Sequence, residues 1–236
     1  MLLFFLENSL SVSGLVGKMF GGDMVPTVWL IFFISLSFII SYLLGSLNSA
    51  VIVSKMMFKD DIRNHGSGNA GFTNMMRTFG TKAAGITFAG DILKTVIAVV
   101  FTWLLIGYVA AYIAGLGCFL GHLFPCFYQF KGGKGVLCVA AMMLTLDWQV
   151  FVGLVVVFML GALVTKYISF GSILAAMAYP LLVDRLSGYG IYTIISFIIA
   201  AIVFIKHIPN LKRILNGTES KFKFKKSKEV KTDAEQ

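Results

Sequence analysis

Charged side chains are scarce in this sequence: 13% of its 236 residues are Asp, Glu, Lys or Arg, against 58% that are hydrophobic. Soluble domains carry about 25% charged residues, so the ordinary soluble class is excluded, and a mean hydropathy of +0.86 places the chain in a lipid bilayer. Cysteine is nearly absent. Cys118, Cys126 and Cys138 stand in apolar segments without a CxxC spacing, which excludes a zinc ribbon or dithiol centre and leaves them as packing residues. The three histidines, His65, His122 and His207, lack ligand spacing, so no metal site is expected. The start, "MLLFFLENSL", has no basic n-region and Glu7 interrupts its apolar run, against a cleaved signal peptide. Acidic residues number 11 against 20 basic, for a net charge of +9.

What is abundant is apolar runs, most of them long enough at helical rise to cross roughly 30 Å of hydrocarbon. They predict an all-α, polytopic membrane protein with spans at about 28–54, 83–106, 109–130, 136–148, 150–165, 168–183 and 191–205. Seven is the working count; the fourth, "VLCVAAMMLTLDW", is short and fits a half-span or re-entrant element as well as a crossing. Basic residues mark the cytoplasmic side. On these spans Lys55, Lys59, Arg63, Arg77, Lys82, Lys131, Lys134, Lys166 and nine more from Lys206 onward share one face, Lys18 and Arg185 lie opposite, and Lys94 falls within a span. The N-terminus is then outside and the C-terminus cytoplasmic. The net charge reflects topology and lipid attraction, and no nucleic-acid partner is expected. Residues 1–26 read as an extension, 27–220 as one transmembrane domain and 221–236 as a basic cytoplasmic tail. "NGT" at 216–218 matches a glycosylation acceptor on the wrong side of the membrane for that use.

Three polar segments interrupt the apolar background on the predicted cytoplasmic face. In "DIRNHGSGNAGFTNMMRTFG", residues 61–80, Gly66, Gly68 and Gly71 let successive N–H groups converge on an anion. Ser67, Asn69, Thr73 and Asn74 offer donors, and Arg63 and Arg77 offer planar forks suited to phosphate. An ordinary tight turn uses similar residues. "FKGGKG" at 130–135 repeats the chemistry with Lys131, Gly132, Gly133, Lys134 and Gly135. It is no nucleotide P-loop, because the upstream glycine is missing and Gly135 stands where Ser or Thr would hold magnesium. In "KHIPNLKRILNGTE", residues 206–219, His207, Asn210 and Arg213 recur every three residues and share a face if the segment is helical, although Pro209 fits best in a first turn. Within the spans, Asp91 and Lys94 at i and i+3 can pair with each other or face a ligand, and His122 can point into a wet cavity or satisfy a helix end.

Together "DIRNHGSGNAGFTNMMRTFG", "GHLFPCFYQFKGGKG" and "KHIPNLKRILNGTE" resemble the three cytoplasmic motifs of the bacterial acyl-phosphate:glycerol-3-phosphate acyltransferases, in order and with spans of matching size between them, from about residue 41 to 220. "YLLGS" at 42–46 is similar to the family's first helix. The resemblance implies a multi-pass bacterial inner-membrane enzyme of phospholipid biosynthesis with about seven spans and its active site facing the cytoplasm. It would move an acyl group from acyl phosphate to the 1-hydroxyl of glycerol 3-phosphate, giving lysophosphatidic acid, without a cofactor or an obligate protein partner and with membrane lipid around it.

By the same resemblance Ser67, Asn69, Thr73, Arg77 and Lys134 line the substrate site, and His207 and Asn210 are the C-terminal pair. Ser67, Arg77, Lys134, His207 and Asn210 are the expected catalytic residues. Arg63, Gly66, Gly68, Asn69, Thr73, Asn74, His122, Lys131, Gly132, Gly133 and Gly135 are expected to bind substrate. The chain departs from the family in Lys206-His207 for the frequent Arg-His and in "GSLN" for Gly-Ser-Ile-Pro.

An acyl phosphate is a mixed anhydride with a stable leaving group, so the chemistry needs two anions held close and a hydroxyl aligned, and no acyl-enzyme nucleophile stands out. His207 is either an orienting residue or a general base. Acyl-CoA-dependent acyltransferases place Asp five positions after a His; here His65, His122 and His207 are followed at that distance by Ala70, Phe127 and Lys212. The acyl chain is expected to enter from the bilayer between phenylalanine-rich helices. The alternative reading is a transporter or binding protein for a phosphorylated small molecule, which would place its site near the midplane between broken helices.

Overall fold

The computed structural model describes residues 14–20, 25–188 and 190–221, and all regular structure among them is helical. Most of the N-terminal extension, including Glu7, and nearly all of the basic tail lie outside the described residues. The helices are α1 (Leu15–Met19), α2 (Thr27–Ser46), α3 (Ser49–Phe58), α4 (Phe72–Leu105), α5 (Tyr108–Leu123), α6 (Val136–Leu146), α7 (Trp148–Thr165), α8 (Ile168–Leu186) and α9 (Ile191–Leu215), with single 3-10 turns at Ile62–Asn64 and Cys126–Tyr128. Six stretches among the described residues are long and apolar enough to cross a membrane: Thr27–Phe58, Phe72–Leu105, Tyr108–Tyr128, Trp148–Thr165, Ile168–Leu186 and Ile191–Leu215. Their outer faces are apolar. Of α7 only Val150, Leu154 and Gly161 are buried, the pattern of a helix whose remaining surface meets lipid.

The predicted fourth span is α6, whose 11 residues rise only about 16 Å. It nevertheless joins the two ends of the bundle. Gly135, before it, lines a polar cavity at one end, while its last carbonyl, at Leu146, accepts a hydrogen bond from Tyr108 Oη (2.9 Å) at the start of α5. Asp147 then caps α7 through Gln149 N and Val150 N, both 3.1 Å away, and accepts from Ser187 Oγ just past the end of α8.

The span predicted at 28–54 is two helices, not one. The chain leaves helical geometry at Leu47 and restarts on Asn48, whose side chain accepts from Val51 N (3.1 Å). The departure "GSLN" thus supplies a helix cap. α4 bends at Gly80, where φ is 82°, a conformation that strains any residue with a Cβ. A short segment carrying Thr73 and Arg77 is thereby set at an angle to the apolar length that follows.

Backbone-close packing sets the site's frame. A Cβ at Gly121 of α5 would overlap the carbonyl oxygen of Tyr42 in α2, and one at Gly45 would overlap that of Cys118. Where lipid removes most of the hydrophobic drive between helices, such small-residue contacts are what holds them together. The main apolar core lies among α4–α9, around Tyr112, Phe119, Met142 and Tyr179. α1 adds Val16 to a small cluster with Leu30, Ile106 and Ala110, so part of the extension packs on the bundle.

Candidate active site

The first polar loop is built from its own side chains. Asp61 receives Arg63 Nε at 3.0 Å and Nη2 at 2.7 Å, and Arg63 Nη1 reaches the Tyr128 carbonyl at 2.8 Å, tying the first loop to the second. The hydrogen bonds from Arg63 hold the Asp61 carboxyl at about 2, well below its usual value. Gly66 (φ 57°) and Gly68 (φ 70°) turn the chain, and a side chain at Gly66 would collide with Asn74 Oδ1. Asn74 is buried. Its oxygen accepts from Ser67 N (3.0 Å), and its amide donates to the carbonyls of Ile62 (3.3 Å) and His65 (2.9 Å). Ser67 and Asn69 are left on a fixed scaffold.

The glycine-lysine loop lies beside it because the glycines admit no side chain. Gly133 N donates to the His122 carbonyl (3.1 Å); a Cβ at Gly132 would strike that carbonyl, and one at Gly133 would strike the His122 ring. Gly135 (φ 77°) starts α6, so Lys134 projects from between two constrained glycines. Its ammonium donates to Asn210 Oδ1. Burial, with Arg213 and Arg77 nearby, lowers the Lys134 pKa to about 8 against the pull of Glu219.

α9 supplies the third set. It continues through Pro209 to Leu215, so the segment whose register the sequence left open is helical, and His207 and Asn210 lie buried one turn apart. His207 Nδ1 lies 2.8 Å from the Val203 carbonyl. A carbonyl only accepts, so Nδ1 carries the proton and Nε2 keeps its lone pair. Asn210 Nδ2 donates to Glu219 Oε1 (2.7 Å), as does Ser169 Oγ (2.9 Å), and Arg213 Nε reaches Glu219 Oε2 (2.7 Å). Burial would raise the Glu219 carboxyl, but those hydrogen bonds outweigh it and hold it low.

These elements enclose a cavity of about 450 Å³ lined by Ser67, Asn69, Thr73, Asn74, His122, Lys134, Gly135, His207 and Asn210, with Asp91, Ser169 and Ser172 also on its wall. A second cavity, about 530 Å³ and almost wholly apolar, runs between α4 and α6–α9, lined by Ala140, Leu144, Phe151, Ala176, Tyr179 and Ile199 among others. Phe88, Val136, Leu137, Phe158, Met159 and Ser172 line both. The first cavity gathers the polar side chains on a largely apolar wall and is continuous with an apolar groove.

Most of the sequence-predicted residues are brought together. Arg77 is exposed and does not line the cavity, though its charge helps lower the Lys134 pKa. Arg63 and Lys131 do not line the cavity: the Arg63 fork is taken up by Asp61 and Tyr128, and Lys131 is exposed. Sequence reasoning missed Glu219, Ser169 and Ser172. Glu219 lies inside the third polar segment, and an acidic residue closing a basic stretch was the available signal; the serines look like ordinary residues of an apolar helix. Asp91 and Lys94 do pair, at 2.9 Å.

The family model for glycerol-3-phosphate acyltransferase matches residues 35–217. A glycerol-3-phosphate acyltransferase of Thermoanaerobacter pseudethanolicus is 41% identical over 186 residues, 79% of this chain and 94% of that protein. Glycerol-3-phosphate acyltransferase 2 of Bacillus anthracis is 43% identical over 190 residues, 79% and 97% of the two chains. A crystal structure of PlsY (YgiH), an integral membrane glycerol 3-phosphate acyltransferase, in its glycerol 3-phosphate form superposes with a TM-score of 0.74 at 30% identity, covering 83% of this chain and 96% of that one. The lysophosphatidic acid form gives 0.71 at 29% identity over the same shares.

Proposed function

The chain belongs to the glycerol-3-phosphate acyltransferase family, and we propose that it transfers a fatty acyl group from acyl phosphate to the 1-hydroxyl of glycerol 3-phosphate, releasing phosphate and lysophosphatidic acid. The observation that carries this reading is the shared wall of the two cavities. A ligand with a phosphate head and an aliphatic tail fits across it with the head–tail junction beside Gly135–Leu137. That junction is the acyl phosphate carbonyl.

The glycerol O1 attacks the acyl carbonyl carbon, the bond from that carbon to the phosphate oxygen breaks, and the hydroxyl proton leaves with the phosphate. Lys134 and Arg77 neutralise phosphate charge, and Ser67, Asn69, Thr73 and the turn at Gly66–Gly68 donate to its oxygens. Asn210, held by Glu219, keeps Lys134 aimed into the cavity. His207 Nε2, free as an acceptor, takes a hydrogen bond from the attacking hydroxyl and orients it. Arg63 and Asn74 brace the first loop. The enzyme sits in the bacterial inner membrane as one domain over about residues 27–220, with N-terminus outside and the cavity facing the cytoplasm. That orientation is supported by the basic residues around the site end, and it gives a soluble substrate direct access.

The test is stoichiometric. Purified protein in lipid, given acyl phosphate and glycerol 3-phosphate, should form one lysophosphatidic acid per phosphate released; phosphate release without that product would mean hydrolysis and overturn the reading.

A further inference from the structure

The cavity floor holds a charge cluster that the transfer step does not use. Lys94 Nζ, buried in α4, lies 3.1 Å from the Gly45 carbonyl, 3.0 Å from the Leu47 carbonyl and 3.1 Å from His122 Nδ1. An ammonium has three hydrogens, and these are its three hydrogen bonds. Asp91 Oδ1 is 2.9 Å from Nζ and 3.4 Å from His122 Nδ1, an ion pair that neutralises the buried ammonium.

The consequence falls on His122. A nitrogen that accepts from an ammonium cannot also carry a proton, and a neutral imidazole with an accepting Nδ1 carries its hydrogen on Nε2. Nε2 lies beneath Gly133, at the position a side chain there would fill, and His122 lines the polar cavity. Cys138 lies beside the ring and offers a weak sulfur acceptor, which a phosphate oxygen would outcompete. We propose that Lys94 is a positioning residue that holds His122 as the Nε2–H tautomer, a fixed donor to a phosphate oxygen under the glycine-lysine loop. This rests on the phosphate-binding reading of the cavity. The two cavity histidines then face it in opposite senses: His207 presents an acceptor and His122 a donor.

The geometry also explains why a lysine stands inside a membrane helix. The break between α2 and α3 frees the Gly45 and Leu47 carbonyls, which lipid cannot satisfy. Lys94 satisfies both and uses its third hydrogen to set the ring.

Nitrogen NMR on histidine-labelled protein in lipid bilayers tests this directly, since three histidines can be assigned by comparison with His122→Gln and His207→Gln. Wild type should show His122 Nδ1 unprotonated and Nε2 protonated, and inorganic phosphate or glycerol 3-phosphate should move the Nε2 signal. In Lys94→Met, Nδ1 should gain protonated population, and KM for a phosphate substrate should rise about ten- to hundredfold, the worth of one hydrogen bond to an anion, with kcat changing less. A protonated Nδ1 in wild type, or an Nε2 signal indifferent to phosphate, overturns the proposal even if Lys94→Met fails to fold. A phosphate response in protein without acyl transfer would support this inference and overturn the acyltransferase reading.

Discussion

At the scale of the residue, the proposed reading makes Lys134 the group that sets how the site treats anions. Burial lowers its pKa to about 8, so it is charged below that pH and neutral above it. With the charged form holding phosphate, kcat/KM for the phosphate-bearing substrates should fall as pH rises through about 8, because that ratio reports the free enzyme. Lys134→Arg, which keeps its charge, should remove that fall even where its overall activity is lower; an unchanged pH profile in the arginine variant would assign the titration elsewhere. His207 answers a second question. Its Nδ1 is bonded to a carbonyl rather than a carboxylate, which favours an orienting role. His207→Gln should then lose about tenfold in rate with its pH profile unchanged, whereas a loss of about 10²- to 10⁴-fold, the worth of a general base, would establish proton abstraction.

At the scale of the element, the frame under the loops depends on close approach. Replacing Gly121 by Ala inserts a methyl into the Tyr42 carbonyl. Forcing α2 and α5 apart should cost about 1–3 kcal/mol, the usual range for overpacking. Thermal unfolding in lipid or detergent reads this as a lower Tm; an unchanged Tm would mean the two backbones do not meet at that glycine.

The elements were also where the sequence was most and least legible. Runs of apolar residues gave the long helices, because length and hydropathy are what the bilayer selects. The restart at Asn48 was hidden, since an apolar run looks the same whether its backbone is continuous or interrupted. The length of α6 was visible but its reach was not: only the contacts of Leu146 with Tyr108 and Asp147 with Ser187 reveal that 11 residues join the two ends. In the site, glycine and amide patterns located both loops. Ser169 and Ser172 escaped because their importance comes from helices distant in sequence converging on one cavity, and Glu219 because its hold on Asn210 and Ser169 depends on the chain turning back past the end of α9.

At the scale of the whole molecule, the two cavities share a wall and in the proposed reading act as one binding surface, with groove walls that are small where a chain would lie. Ala176 lines the groove one turn from Ser172, which lines both cavities. Ala176→Phe should therefore shift the preferred donor to shorter acyl chains, measured by competition between acyl phosphates of different length, while leaving the KM for glycerol 3-phosphate near wild type. A preference that stays fixed would remove the tail from this groove.

If the phosphate pocket and the groove serve one acyl transfer, acyl phosphate is the donor we propose. The decisive experiment offers acyl phosphate and acyl-CoA in parallel to purified protein in lipid with labelled glycerol 3-phosphate, Lys134→Ala beside wild type. Labelled lysophosphatidic acid should form from acyl phosphate alone and be lost in the variant. Transfer from acyl-CoA instead, or saturable binding of glycerol 3-phosphate with no transfer from either donor, would contradict the joint role of the two cavities.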